Sequence, residues 1–427
     1  MQAMQEKEPM GIHCILAMIY FLAVPLTITV NSAGDSFLKL LTLPIGAFFL
    51  VTLFFYKDKL ELNSVHTFLA LFIISVVATL FVDGSAVSVD YVMGYIQNAG
   101  LMFCITLRKY NSREIKWLEN AQIVLLGIMI YLGLFEGTTY ADRTTIEIFG
   151  GTSDPNYFCG FFVFPIAVCM KYIIKNSYRW ICLPLVLLGI YTVILSGSRG
   201  GLLAVIATIA ASVVVYSKDF VRLIIAMAAL VAAAVVFWTV ILPILPENIA
   251  ARMSVEAVIE SRGTSRVDIW LSMLQTIKES TWELFLGRGI DAHHTMLIGG
   301  TEQDVVAHNN FIQTLYNQGI IGLLLFVGLS ASAILRNIRK RGYIAAGMIG
   351  ILTLAMSLTL NPSIKPFWNL VMYAGLSFTL NPAAGKGVEV KNEAADKRSR
   401  ERGKTFTDGD RHGWRREDLI NEKRQGR

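Results

Sequence analysis

Charged residues are scarce in this sequence, and most of the chain has no polar linker. Only 16% of its 427 residues are Asp, Glu, Lys or Arg, whereas 54% are hydrophobic. Soluble domains average about 25% charged residues. A soluble chain of this length would hold about three domains, yet no polar segment divides residues 11–380. These proportions exclude a water-soluble enzyme, and they exclude disorder for most of the chain.

The five cysteines give no support to a disulfide framework or a metal site. None stands at the spacing of paired metal ligands, and each lies in or beside an apolar run. Free cysteines in such runs usually behave as small buried hydrophobic residues. We therefore expect no structural metal, and no motif predicts a cofactor or a nucleic-acid partner.

Continuous apolar runs fill most of the chain. A membrane-spanning helix needs about 20 apolar residues to cross hydrocarbon about 30 Å thick. Twelve such runs lie at 11–30, 37–56, 65–82, 91–107, 118–135, 157–175, 180–196, 200–216, 221–244, 311–335, 343–360 and 367–380. The sequence therefore predicts an all-α integral membrane protein of about twelve transmembrane helices. Its transmembrane domain covers 11–380 and follows a short segment, 1–10.

Basic residues collect beside every second connection between these runs. They are Lys57, Lys59, Arg108, Lys109, Arg113, Lys116, Lys175, Arg179, Lys218, Arg222, Arg336, Arg339, Lys340 and Arg341. Of the alternate connections, 136–156 has only Arg143 and 361–366 has only Lys365. Because positive residues favour the cytoplasmic side, the pattern predicts a multi-pass protein of the cytoplasmic (inner) membrane with both termini in the cytoplasm.

This orientation places two unusual segments on the outer face. The connection 245–310, between the ninth and tenth runs, is 66 residues long, and a loop of that length is usually functional. Within it, apolar residues recur at helical spacing after a capping-box pattern, which predicts an amphipathic helix on the membrane surface or against the bundle. Those apolar residues are Val267, Trp270, Leu271, Leu274 and Ile277. The second segment is the tight connection 196–201.

The C-terminal segment 381–427 has a different composition. It carries 13 Lys or Arg residues against 9 Asp or Glu residues and little apolar content. The composition predicts a basic, mostly disordered cytoplasmic tail. Basic residues near the inner leaflet gain about 1 kcal/mol each toward anionic lipid, so lipid contact is an open alternative to a solvated tail without further role.

Arg199 is the sharpest candidate for a functional residue. It lies between two apolar runs, with Ser198 before it and Gly200 after it. Ionisable groups near membrane depth usually face the bundle interior or a wet cavity. A guanidinium matches the geometry of phosphate, and glycines allow a close approach of the backbone to a ligand. The pattern favours phosphate binding over the alternative, an interfacial arginine that contacts lipid headgroups.

Arg266 begins the predicted amphipathic helix, one turn before Trp270. Free backbone N–H groups at a helix N-terminus could help this side chain to hold an anion. The alternative is an ordinary surface arginine paired with a neighbouring carboxylate. Arg262 and Arg288 are weaker candidates for the same role.

His308 precedes Asn309 at the outer end of the tenth run. With an ordinary pKa near about 6.5, an imidazole can take a proton from a hydroxyl at neutral pH. A helix cap or a core partner is the alternative role. His293 and His294, beside Asp291, raise a metal hypothesis, which lacks third and fourth ligands at helical spacing.

Asp154, Pro155 and Asn156 open the sixth run from the outside. Proline suits the first turn of a helix and aspartate suits its cap. Capping is a sufficient explanation for Asp154, and binding of a sugar hydroxyl is an open second role.

Taken together, these residues resemble the O-antigen ligase and O-antigen polymerase family of polytopic membrane glycosyltransferases. The resemblance rests on Asp154-Pro155-Asn156, Ser196-Gly197-Ser198-Arg199-Gly200-Gly201, Arg266 with Trp270, and His308-Asn309-Asn310-Phe311 followed by Gly319 and Gly322. It covers most of 11–380, and most specifically 150–330, and it includes the large outer loop. It implies a GT-C-like helical architecture. The basic tail is not part of the pattern.

The resemblance implies transfer of a glycan from undecaprenyl diphosphate to a hydroxyl acceptor, without a metal. The acceptor is lipid A–core in ligases, a second lipid-linked repeat unit in polymerases and a protein in some members, and the choice stays open here. Arg199 and Arg266 would then hold the diphosphate, with His308 beside the acceptor hydroxyl. Further substrate contacts are expected from Asp154, Asn156, Ser198, Gly200, Trp270 and Asn309.

Two other functions fit a chain of twelve spans with both termini inside. A secondary transporter would favour a central cytoplasmic loop and mid-membrane acids, whereas here the largest connection is external and such acids are scarce. A flippase for polyprenyl-linked sugars would need a charged central cavity, whereas the charges of this sequence cluster at one face. The sequence favours glycosyl transfer over both.

Overall fold

A computed structural model of the protein describes most of the chain up to residue 358. The described residues are 11–23, 43–52, 60–216, 235–254 and 266–358, apart from single residues and pairs within these ranges, and isolated positions at 55, 221, 224, 228 and 232. Several predictions concern residues outside this set: the segment 1–10, most of the run 221–244, Arg262, the run 367–380 and the tail 381–427.

The described chain is mainly helical. Its helices are α1 (Ile12–Ala23), α2 (Leu43–Thr52), α3 (Ser64–Ala78), α4 (Ala86–Leu107), α5 (Ser112–Phe135), α6 (Pro155–Ile174), α7 (Arg179–Leu195), α8 (Arg199–Tyr216), α9 (Glu247–Met253), α10 (Arg266–Lys278), α11 (Thr281–Leu286), α12 (Asn310–Arg339) and α13 (Tyr343–Ala355). Five stretches are long and apolar enough to cross a membrane: Ser64–Phe81, Ser112–Phe135, Pro155–Ile174, Arg199–Tyr216 and Asn310–Ile338. This pattern agrees with the predicted helical membrane protein.

Two small antiparallel sheets lie in connections for which the sequence analysis predicted no strands. The first contains β1 (Gly137–Tyr140), β2 (Arg143–Ile148) and β3 (Gly151–Thr152), in that order. The second is a hairpin of β4 (His294–Ile298) and β5 (Thr301–Val305). Strand β2 is rich in β-branched residues, which suit a pleated surface. The helical class therefore holds for the bundle but not for these two connections.

Helix α6 is the most enclosed of the five long helices. Of its membrane-crossing window, 78% is buried, and it packs against α5, α7, α8 and α13. Its sequence is apolar on every side before Lys171, as expected for a helix inside a bundle. Phe158 and Phe162 meet edge to face, with ring centroids 5.1 Å apart. The N-terminus of α6, which forms part of the candidate site, is consequently held in a fixed position relative to its neighbours.

At one end of the bundle, the end of α6 and the start of α7 carry Lys175 and Arg179, two of the basic residues that were predicted to be cytoplasmic. Lys171, near the end of α6, pairs with Glu119 of α5 at 2.5 Å, and its ammonium group lies 4.9 Å from the ring centroid of Tyr343. The start of α3 meets the end of α12 where Ser332 Oγ donates a hydrogen bond of 2.7 Å to Ser64. Both sheets and the N-termini of α6, α8 and α12 therefore belong to the opposite end.

Helix α10 forms where an amphipathic helix was predicted, but its buried face differs from the predicted one. Ile269, Met273 and Ile277 are buried, and they pack with residues of α12 and of the segment before it. Val267 and Leu271, predicted to share a face with Ile277, are exposed. Apolar residues occur on both sides of this helix, so periodicity alone did not identify the packed side.

Helix α12 is broken at Gly319, whose φ of 68° and ψ of −169° are accessible essentially to glycine alone. The break lets the chain after α11 pair with α12. The backbone N–H of Arg288 donates to the carbonyl of Tyr316 at 3.0 Å, and that of Gly289 donates to Asn317 at 3.1 Å. A Cβ atom at Gly319 would lie 2.3 Å from the backbone of Phe285. Glycine is therefore required at position 319 for both conformation and space.

We expect Gly319→Ala to destabilise the protein by much more than Gly300→Ala. Gly300 also has a positive φ, of 86°, but an added Cβ meets no atom within 4 Å there. Both variants gain backbone strain, and only Gly319→Ala adds overpacking, which typically costs about 1–3 kcal/mol. Thermal unfolding of the two variants in detergent measures the difference. Equal unfolding temperatures would contradict the tight contact between α11 and α12.

The charge bias also predicts which end of the bundle faces outward. A cysteine at the exposed position Thr301, in the β4–β5 hairpin, should react with a membrane-impermeant maleimide in intact cells. A cysteine at the exposed position Ser177, between α6 and α7, should react only after the cells are permeabilised. The unmodified chain, with its five native cysteines, is the control. The reverse labelling pattern would place the candidate site in the cytoplasm.

Candidate anion-binding site at one end of the helix bundle

The N-terminus of α6 forms one wall of the candidate site. Asp154 caps this helix, because its side chain accepts a hydrogen bond of 2.7 Å from the backbone N–H of Asn156. Pro155 occupies the first turn, where its missing N–H removes no hydrogen bond. The predicted capping role of Asp154 is therefore present in the structure, and the cap fixes the position of Asn156.

Asn156 connects α6 to the N-terminus of α8. The hydroxyl of Ser198 donates a hydrogen bond of 2.6 Å to Asn156 Oδ1 and accepts one of 3.0 Å from the backbone N–H of Gly201. Gly200 is packed closely, since a Cβ atom there would lie 2.3 Å from Ser357 Oγ. Ser198 and Gly200 thus act locally by bringing α6, α8 and the end of α13 together beside Arg199.

Four arginines gather around this junction. Arg199 donates through Nε to the backbone carbonyl of Arg252 at 2.6 Å. Arg143 donates through Nε to the carbonyl of Ser196 at 3.1 Å. Arg252 and Arg266 lie within electrostatic range of both Arg199 and Arg143. We call these four residues, Arg143, Arg199, Arg252 and Arg266, the arginine cluster.

The arginine cluster carries more positive than negative charge. Partial burial lowers the pKa of Arg266 and of Arg143, and the carboxylate of Asp154 opposes that change in both. Guanidinium groups stay protonated despite such shifts. Within the described part of the chain, Asp154 is the one carboxylate that acts on these two arginines. Among the residues that the structure describes, the grouping of four arginines around one such carboxylate favours an anionic ligand.

His308 occupies a strained position beside Arg266. Its φ of +45° is unusual for a residue with a side chain, and such strain persists only where the surroundings hold it. Here the preceding residue is held from two sides: Trp270 donates its indole N–H to the carbonyl of Ala307 at 2.6 Å, and Gln313 Oε1 accepts the N–H of Ala307 at 2.9 Å. Trp270 therefore positions the backbone that carries His308.

Asn309 caps α12 after this strained residue. Its side-chain oxygen accepts hydrogen bonds from the backbone N–H groups of Phe311 at 3.0 Å and Ile312 at 3.4 Å. Asn309 is buried, so this cap accounts for its polar side chain. His308 itself is exposed, and it is not the cap of the helix.

The electrostatic surroundings keep His308 neutral. Desolvation lowers its pKa, the nearby Arg266 lowers it further, and Asp154 acts in the opposite direction. The imidazole is consequently unprotonated at neutral pH, and one ring nitrogen is available to accept a proton. An unprotonated histidine next to a cationic cluster is an arrangement suited to base chemistry.

A cavity of about 240 Å³ lies beside His308. Its lining is Tyr91, Asp154, Asn156, Tyr157, Ile290, Asp291, Ala292, His293, Val306, His308, Gln313, Asn317, Ser357 and Leu358. The structure thus brings Asp154, Asn156 and His308 to one space, and it places Arg199 and Arg266 beside that space.

The weaker candidates lie apart from the arginine cluster. Arg288 is 3.8 Å from Glu283 and stacks over the ring of Tyr316. His294 is buried and shares a hydrogen bond of 2.8 Å with Ser272. Among the described residues, no three or more His, Cys, Asp or Glu side chains are grouped to hold a metal ion.

Arg143 and Arg252 are the members of the cluster that sequence reasoning did not propose as site residues. Arg143 stood out only as the single basic residue of the connection 136–156, which is a usable signal. Arg252 lies in the last turn of the short helix α9, and its sequence surroundings contain no motif. Both reach the site because of tertiary packing.

The fold and the site together define a helical membrane protein with a cationic, histidine-containing site at one end of its bundle. Residues 184–327 match the family described as O-antigen ligase, and this match confirms the predicted family. The matched region contains Arg199, Arg252, Arg266 and His308. Asp154 and Asn156 precede it.

Solved structures show only a weak overall likeness to this chain. A chain from a solved structure of a peptidoglycan synthase complex, concerned with coordination of polymerization and crosslinking, aligns with a TM-score of 0.45 and 15% sequence identity. The alignment covers 73% of this chain and 95% of that chain. No curated protein sequence matches the chain.

Proposed function

We propose that the protein is a membrane glycosyltransferase that moves a glycan from undecaprenyl diphosphate to a hydroxyl acceptor on the outer face of the cytoplasmic membrane. The arginine cluster is the observation that carries the proposal. A lipid diphosphate is a polyanion held in the membrane, so a site at the end of a membrane bundle can bind it. The family match supports glycan transfer. The acceptor is lipid A–core, a second lipid-linked repeat unit or a protein.

The arginine cluster acts on the leaving group. When the glycosidic bond breaks, its electron pair passes to the diphosphate oxygen, and negative charge grows there. Guanidinium groups already fixed at that position stabilise the transition state more than the ground state. Arg199 and Arg266 bind the diphosphate in this proposal, and Arg143 and Arg252 add charge beside them. These groups supply positive charge without a metal.

His308 acts on the acceptor. Its neutral imidazole takes the proton of the acceptor hydroxyl while the oxygen attacks the anomeric carbon of the donor. One C–O bond forms, the bond to the diphosphate breaks, and the proton remains on the imidazole until it is released to water. A positioned base contributes typically about 10²–10⁴-fold to such a step. Trp270 and Asn309 position the histidine.

The number and orientation of the transmembrane helices belong to the same proposal. About twelve transmembrane helices in a GT-C-like arrangement, with 245–310 outside and both termini inside, place the site at the outer membrane surface. Anionic lipid at the basic tail 381–427 fits the same orientation. A flippase or a secondary transporter would use charged groups along a central path, whereas the arginine cluster lies at one end of the bundle.

Arg199→Lys and Arg266→Lys should each lower kcat/KM by about tenfold or more, because an ammonium group keeps the charge but loses the planar fork that matches phosphate. Transfer from an undecaprenyl-diphosphate-linked glycan by purified protein measures the effect. Arg288→Lys is the matched control, since Arg288 pairs with Glu283 outside the cluster. Normal activity in Arg199→Lys and Arg199→Ala together would leave Arg199 as a lipid anchor.

His308→Ala should lower kcat by about 10²-fold or more while donor binding changes little, since the arginines hold the diphosphate. His308→Asn should be equally inactive, because its polar side chain cannot act as a base at neutral pH. Single-turnover transfer and donor binding should both be measured on protein of equal membrane abundance. Substantial activity in His308→Asn would remove the base role.

The pH dependence of the wild-type protein gives a second test of His308. A lowered pKa keeps the imidazole unprotonated at lower pH than usual, so activity should rise with pH and reach half its plateau below the ordinary value of about 6.5. The His308→Ala variant should lack this dependence in its residual activity. A half-point above about 6.5, unaltered in His308→Ala, would assign the titration to another group.

A further inference from the structure

The cavity beside His308 differs chemically from the arginine cluster. His308 lines it, and none of the four clustered arginines does. A general base must lie within hydrogen-bond reach of the proton that it removes. If His308 is the base of the proposed transfer, the acceptor hydroxyl is bound on the cavity side and the diphosphate on the arginine side.

The size of the cavity limits what it can hold. Its volume of about 240 Å³ lies below the range of roughly 300–1,000 Å³ that is usual for sites of drug-sized ligands. A single sugar ring fits this space better than an oligosaccharide does. The rest of an acceptor glycan would therefore extend out of the cavity.

The lining offers the groups that bind sugar hydroxyls. Asp154 and Asp291 supply carboxylate acceptors, and Tyr91 and Tyr157 supply aromatic rings with hydroxyl groups. The remaining wall is rigid on the α12 side: Gln313 donates to Asn317 at 2.8 Å, and Asn317 donates to the carbonyl of Ile290 at 2.5 Å. These last bonds fix the loop that carries Asp291.

Asp291 is short of partners inside the protein. Its side chain is only 14% exposed, and in the described part of the chain its one ion pair is with the exposed His293, at 3.8 Å. An enclosed carboxylate gains from hydroxyl donors brought by a ligand, and it repels a second carboxylate. A neutral or amino sugar satisfies Asp291 through its hydroxyl or ammonium groups, whereas the extra carboxylate of a uronic acid is repelled by it.

We propose that this cavity is the acceptor-sugar subsite and that Asp291 makes it selective for a neutral or amino sugar over an anionic one. Calling this subsite an acceptor site rests on the proposed glycosyl transfer. The selectivity itself follows from the cavity and from Asp291, since the charge of Asp154 acts on the clustered arginines. Asp291 determines specificity and takes no part in bond making or breaking.

The test uses the full-length protein with Val306→Cys, because Val306 lines the cavity and is 38% exposed. A maleimide should label this cysteine, and methyl glucoside or methyl galactoside should slow the labelling. The corresponding methyl glucuronide and galacturonide, which differ by a carboxylate at C6, should protect at least about tenfold less well. The parent protein, which keeps the native cysteines, gives the background labelling.

Asp291→Asn in the Val306→Cys background should bring protection by the uronides close to that by the neutral sugars. Asp291→Glu should restore the discrimination. Asp304→Asn is the matched control, because Asp304 lies exposed on β5, outside the cavity, and it should leave the discrimination unchanged. Absent protection by the neutral sugars, equal protection by both sugar classes in the Val306→Cys protein, or an equal effect of Asp304→Asn would overturn the proposal.

This labelling needs neither donor nor turnover, so it separates the subsite from the proposed function. Protection by the neutral sugars without any transfer to a lipid carrying the same sugar would refute glycosyl transfer and leave a selective sugar site. Transfer to that lipid without protection of the cysteine would retain glycosyl transfer and reject the cavity as the subsite.

Discussion

The mutual repulsion of the arginine cluster is the constraint on which this end of the protein depends. Four guanidinium groups at the end of an apolar bundle repel one another, and partial burial adds a desolvation cost. The protein offsets this cost with neutral acceptors: the carbonyl of Arg252 for Arg199, and the carbonyl of Ser196 for Arg143. Backbone carbonyls thus hold two of the four arginines in place and carry no net charge of their own.

At the opposite end of the bundle, two charged side chains lie beside partners of opposite charge. Lys171 lies against Glu119, and Tyr172 donates a hydrogen bond of 2.7 Å to the same carboxylate. His13 is 3.3 Å from Glu114. These two pairs match charges of opposite sign, as a purely structural arrangement requires. The arginine cluster instead brings charges of like sign together, and a polyanionic substrate would stabilise that arrangement.

Local patterns predicted the parts of the structure that depend on local physics. Apolar length predicted the helices, and cap chemistry predicted the start of α6 at Asp154. Local sequence patterns also identified the tight Gly/Ser turn beside Arg199 and the polar segment at His308 that precedes α12. Arg143 and Arg252 were not proposed, because a β-strand and a short helix deliver them through tertiary packing. The prediction of the buried face of α10 was wrong, because apolar residues form two stripes on that helix. Only the packing against α12 determines which stripe is buried.

His308 and the loop that carries Asp291 are joined through α12. Gln313 holds the segment before His308, and Asn317, one turn later, holds the loop before Asp291. The break at Gly319 is what allows that loop to approach the helix closely enough for the second contact. One short stretch of a single helix thus sets the distance between His308 and the cavity wall. A displacement of this stretch would move both together, so the cavity would keep its alignment with His308.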